Sequence, residues 1–160
     1  MSYQGIAPIR FGTLSMVTTS LGPKDPEVGA ECVEDGRHYV FVYNEGGASM
    51  NVGHGCVPNS AATGYSVTVS AATSADLVIG VVRHATITTG AYGWVVTKGV
   101  TPIQMGATSG SVGARGLVEI GADGFFVPVS LTTGNKAPAV GVALAAIVSS
   151  ASGNAFVKCY

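Results

Sequence analysis

The chain has 160 residues, of which 8 are basic and 9 acidic, so 11% of it is charged where soluble domains average about 25%, while 47% is hydrophobic. That length suits one domain, or one domain with an arm, and excludes most multidomain enzymes. A net charge of −1 leaves no electrostatic footprint for nucleic acid or for an anionic membrane surface, both of which call for clustered Lys and Arg.

Charge is nevertheless uneven along the sequence. The first 45 residues hold six carboxylates (Asp25, Glu27, Glu31, Glu34, Asp35, Glu45) against Arg10, Lys24 and Arg37, a net −3; the remainder is +2. Residues 1–30, with Pro8, Pro23 and Pro26, read as an extended arm, and residues 31–160 as a single β-rich domain. The first ten residues show no basic stretch followed by an apolar one, so the protein is expected to stay where it is made. Cys32, Cys56 and Cys159 are odd in number and widely spaced, which suggests neither a disulfide framework nor a zinc ribbon.

From His38 onward the pattern has period two. Tyr39, Phe41 and Tyr43 alternate with Val40, Val42 and Asn44, and apolar residues on both sides predict a strand buried on both faces. Half-buried strands are predicted over 65–70 and 85–88, and further strands over 94–97, 116–120 and 125–129. Turn chemistry separates them at 45–47, 58–60, 89–91, 122–124 and 133–135, the short spacing of a sandwich or barrel. Asp123-Gly124 marks the clearest hairpin. The fold class is all-β: a small β-sandwich or partly open β-barrel with an extended N-terminal arm and Gly-rich loops, in a sequence with 23 glycines. The uncharged stretch 137–157 contains Pro138, Gly141, Ser149, Ser150, Ser152, Gly153 and Asn154, which suit turns better than a lipid-facing helix.

A faint internal echo runs from 77–95 to 139–157, with Gly80 and Gly141 aligned 61 positions apart. A duplicated β-unit and two independent hairpins under similar packing rules both account for it.

Catalytic chemistry is thin. His54 and Cys56 share a face if they lie in a strand, but nothing nearby orients the imidazole. Glu34 and Asp35 are adjacent and turn-like rather than paired for acid–base work. His38, His54, His84, Cys32 and Cys56 match no zinc spacing, and the Gly-rich run 106–116 lacks the ending of a phosphate-cradling loop. The expectation is therefore no enzyme, no catalytic residue, no cofactor and no metal. Low charge and long uncharged stretches instead predict exposed apolar area, the mark of a partner surface.

The run Arg37-His38-Tyr39-Val40-Phe41-Val42-Tyr43-Asn44, the Tyr65-Ser66-Val67-Thr68 strand, and above all Val78-Ile79-Gly80-Val81-Val82 through Gly90-Ala91-Tyr92-Gly93-Trp94-Val95 resemble the small β-rich structural proteins of tailed bacteriophages. Size and composition are most similar to capsid decoration, or cement, proteins. The resemblance implies a virion protein on the capsid exterior that binds the major capsid protein and clamps neighbouring subunits. It also implies a homo-oligomer, a trimer before a dimer, with neither nucleic acid nor membrane as partner. Placed on the arm and on the Gly-rich loop, the candidate partner-binding residues are Arg10, Phe11, Pro23, Lys24, Asp25 and Arg115. Rival expectations are another phage structural role, a head fibre base or tail component, and a small β-barrel whose aromatic residues line a ligand pocket.

Overall fold

The computed structural model describes residues 13–23, 25–59, 65–69, 77–108, 110–129 and 139–159. Eleven strands follow in chain order: β1 (Val17–Thr18), β2 (Glu31–Glu34), β3 (Arg37–Asn44), β4 (Gly55–Pro58), β5 (Ser66–Thr68), β6 (Gly80–Val82), β7 (Tyr92–Gln104), β8 (Leu117–Ile120), β9 (Phe126–Pro128), β10 (Gly141–Ala143) and β11 (Ser152–Lys158). The only helical turn among the described residues is a 3-10 turn over Ala122–Gly124.

All strands join one mixed sheet in the order β2-β3-β5-β4-β6-β7-β11-β10-β8-β9, with β1 on β7 and a second pairing of β3 to β7. Because β3 pairs with both β5 and β7, the strands β3, β5, β4, β6 and β7 close a cycle. The architecture is therefore all-β and partly ring-like, but the sheet as a whole is not a closed barrel.

The alternation at β3 works as its sequence dictates. Val40 and Val42 enter one core with Met50, Cys56, Val67, Val82, Ile87 and Val95. Tyr39 and Phe41, pointing the other way, enter a second core with Trp94, Val96, Ile103, Phe126 and Val157. Phe41 packs against Trp94 at a centroid distance of 5.1 Å and against Tyr92 at 6.2 Å. Phe41 and Trp94 are thus core residues, fully or almost fully buried. Fully burying each such side chain contributes roughly 1.5–3 kcal/mol.

The predicted strand at 85–88 is absent. Only Ile87 bridges, to Met50, because its N–H and C=O both bond Met50 while its side chain fills the space left by Gly93. The predicted strand at 94–97 is the middle of the 13-residue β7. Strand β7 runs through Gly99 at φ 122, shifts register against β3 between His38 and Tyr39, and continues past its proline, with Pro102 opposite Asn154 of β11.

The predicted hairpin forms between β8 and β9. Asp123 and Gly124 both have positive φ, 56° and 77°. Gly124 also has to be a glycine for space, since a Cβ there would lie 2.8 Å from the Gly55 carbonyl oxygen.

The internal echo is a structural repeat and extends well beyond the two hairpins, but its last strand aligns differently from the sequence match: Val95 corresponds to Ala155 rather than Val157, and Phe156 is exposed instead of returning to the core. In the first unit β4 pairs with β6 (Cys56 opposite Gly80), β4 with β5 (Pro58 opposite Val67) and β6 with β7 (Val82 opposite Val95). In the second unit β8 pairs with β10 (Val118 opposite Gly141), β8 with β9 (Ile120 opposite Phe126) and β10 with β11 (Ala143 opposite Ala155). The Met50–Ile87 bridge corresponds to Val112–Ile147, and the parallel pairing of Asn44 with Val67 to the parallel bridge of Met105 with Phe126. Single hydrogen bonds repeat too: Gly53 N–H to Val82 and Arg115 N–H to Ala143 are both 2.8 Å. Strand β7 is shared, closing the first unit with its first half and opening the second with its second half.

Candidate functional site

Of the residues singled out on the arm and loop, Arg10, Phe11 and Lys24 lie outside the described residues. Pro23 is exposed. Asp25 spends its carboxylate locally, accepting the Gly22 N–H at 2.7 Å while its own N–H donates to the Gly22 carbonyl at 3.1 Å. Arg115 is exposed at φ 65, the position that Gly53 holds in the first unit. The loop around it is anchored, since Val112 is buried and bridges Ile147. Asp25 is thus engaged within its own turn, and Arg115 sits on the loop that enters β8.

The His54 and Cys56 pair is buried in structure-forming contacts. Cys56 is fully buried, its thiol donating to the Gly80 carbonyl at 3.4 Å, and burial pushes its pKa up to about 12. A thiol held protonated and out of solvent does not act as a nucleophile at neutral pH. His54 packs against Phe125 with the rings tilted at a centroid distance of 4.7 Å, and burial lowers its pKa, with Asp123 opposing. Among the described residues no group of three or more His, Cys, Asp or Glu side chains is placed to hold a metal ion.

Composition predicts exposed apolar area without saying where it lies; the strand register locates it. Leu117 lies opposite Val142, Val142 opposite Phe156, and Phe156 opposite Val100, so one row crosses β8, β10, β11 and β7. Alternation turns this row outward, because Val118, Ala143, Val157 and Thr101 beside it are buried. Leu117 is 45% and Phe156 42% exposed. A shallow groove of about 220 Å³ runs along it, lined by Leu117, Val140, Val142, Phe156 and Lys158 among others.

The duplication gives this row a reference. Its counterpart in the first unit is Gly55, Val81, Val96 and Tyr39, and all four are buried. A Cβ on Gly55 would meet Ile120 at 2.7 Å and Phe126 at 3.1 Å, so side chains of the second unit pack directly onto that row. The same face is thus an internal interface in the first unit and open in the second.

No protein-family model matches the sequence, and no curated protein matches it. Among solved structures, the all-β architecture is shared with the N base of the head fiber protein gp8.5 of bacteriophage phi29. The TM-score is 0.53 at 10% sequence identity, over 75% of this chain and 92% of that one. At that identity the likeness is one of fold.

Proposed function

We propose that this protein is a structural component of a bacteriophage head, mounted on the capsid exterior as a homotrimer that clamps neighbouring major capsid subunits. The observation that carries the reading is the fold likeness to a phage head fiber base, over nearly all of that structure. The surface supports it: a protein with 11% charged residues presents a contiguous outward apolar row, and such patches serve as partner surfaces.

In this reading copies meet through the Leu117–Val142–Phe156–Val100 row, as the two units already do inside one molecule. Oligomerisation multiplies weak capsid contacts into avidity, and a clamp that binds only the assembled lattice stabilises that lattice by mass action. A second reading, the base of a head fibre, is favoured by the same likeness, and differs in requiring a distal partner on the particle. Neither reading calls for catalysis or a cofactor.

The test is particle analysis. Phage particles from cells expressing the protein are purified and its copy number measured by quantitative mass spectrometry. Copies stoichiometric with capsid lattice positions support the clamp, and a few tens of copies with an attached fibre support the base. Particles that lack the protein refute both.

A further inference from the structure

The first unit carries a polar cluster with no counterpart in the second. Arg37, Tyr39, Arg83 and His84 are replaced at the equivalent positions by Lys98, Val100, Leu144 and Ala145. They line a groove of about 450 Å³ together with Thr13, Leu14, Ser15, Glu34 and Asp35.

Two guanidinium groups converge there on one acceptor. Arg37 donates its Nε–H to the Val100 carbonyl at 2.6 Å, and Arg83 donates from Nη1 to the same oxygen at 3.4 Å. The two nitrogens are therefore no more than about 6 Å apart, the sum of those two distances. Among the described residues neither Arg forms an ion pair, and the buried Nε of Arg83 has no hydrogen-bond partner at all.

Glu34 and Asp35 line the same groove but ion-pair neither guanidinium, so two adjacent cations and one buried donor are left without a directly bonded anion. The groups are also held in place. The Arg37 stem packs where Gly99 has no side chain, a Cβ there coming within 2.9 Å of Arg37 Cγ, and Tyr39 holds His84 by a 3.4 Å contact and a ring stack at 5.8 Å. His84 is kept below the ordinary imidazole value first by burial and then by Arg83, with Glu34 opposing, so its ring reports on the local charge.

We propose that the Arg37–Arg83 groove is a carboxylate-binding site, taking the side chain of an aspartate or glutamate, or a terminal carboxylate, from a partner protein. Planar guanidinium forks match a carboxylate in two-point geometry. Glu34 and Asp35 in the same lining oppose each added negative charge, so a singly charged carboxylate is expected to bind better than a doubly charged phosphate. The site does not depend on the phage reading, since any protein partner can present the group.

The probe is the His84 imidazole, followed by NMR at constant ionic strength against acetate, inorganic phosphate, a capped Gly-Glu-Gly peptide and its Gly-Gln-Gly control. His38, outside this groove, serves as internal reference. The expected result is a saturable shift of His84 with acetate and with the Glu peptide, the peptide binding at least as tightly, and none with the Gln peptide. The His84 pKa rises on binding, and Arg83→Gln weakens both ligands at least tenfold. Arg37→Gln gives the same loss should the Arg83 variant fold poorly. The proposal is overturned if His84 moves no more than His38, if phosphate binds more tightly than acetate, if acetate binds while the Glu peptide does not, or if neither variant changes the affinity.

Discussion

Gly93 and Gly153 occupy equivalent places in the two units, and each accommodates the isoleucine that bridges across its own unit. A Cβ on Gly93 would lie 2.6 Å from Ile87 Cδ1 and 2.7 Å from Cγ1; on Gly153 it would lie 2.6 Å from Ile147 Cγ1 and 2.8 Å from Cδ1. Optimal carbon contacts are about 3.5–4.0 Å, so Gly93→Ala forces a fully buried isoleucine to move by most of an ångström. Overpacking of that kind costs about 1–3 kcal/mol. Gly93 is outside the left-handed region, so alanine also gains about 0.4–1 kcal/mol through the unfolded state. The net expectation is a destabilisation of about 1–2 kcal/mol, which at an m-value of about 2 kcal/mol/M lowers the urea midpoint by about 0.5–1 M. Ile87→Ala alone costs about 2–5 kcal/mol. Combined with Gly93→Ala it should cost less than the two changes summed, by about 1 kcal/mol or more, because the clashing atoms are gone. Gly153→Ala with Ile147→Ala should show the same coupling. A neutral Gly93→Ala, or an additive cycle in either unit, would refute the packing and the equivalence of the units together.

Further outcomes follow from the same structure. Trp94→Ala, emptying the site beside Phe41, should destabilise by about 3–5 kcal/mol in urea unfolding. Phe156→Asp should leave the stability within about 0.5 kcal/mol of wild type, since the ring is 42% exposed, and under the proposed trimer it should give a monomer in light scattering where wild type does not. His54 is held below its ordinary 6.5, so the unfolded state binds the extra proton and stability falls as pH drops below 6.5. His54→Gln should flatten that part of the pH–stability curve, leaving the share from His84, whose pKa is also lowered. Cys56 should resist iodoacetamide in the folded protein and react on unfolding; labelling at the unfolded rate would contradict its burial.

How much of the fold is legible in the sequence depends on period. The strand over 38–44 can be read because both of its faces are apolar, and burial on both faces follows directly. The β8–β9 hairpin is legible from Asp123-Gly124, whose positive φ values are the reason for the pair. The length of β7 is not, since Lys98-Gly99 and Pro102 look like a strand end until β11 supplies seven partners along 98–104. The alternation over 85–88 mimics a strand because two apolar–polar pairs satisfy the pattern, whereas only Ile87 makes a β-bridge there.

The outward row is hidden from the sequence for a different reason. Leu117, Val142, Phe156 and Val100 come from four strands and meet only through register. The Arg37–Arg83 groove is similar, being assembled from residues on separate segments and a carbonyl 17 residues past Arg83. The Gly80–Gly141 echo is visible, but its meaning lies in matched pairings such as Cys56–Gly80 and Val118–Gly141, which side-chain patterns do not carry.

Attachment to a phage head can be measured by co-sedimentation. Purified protein is mixed with phage heads stripped of it and pelleted across a concentration series, with Phe156→Asp in parallel. The expected result is saturable pelleting at a fixed ratio to the major capsid protein, and weaker binding by the variant as avidity is lost. Wild-type protein that stays in the supernatant at every concentration would contradict it.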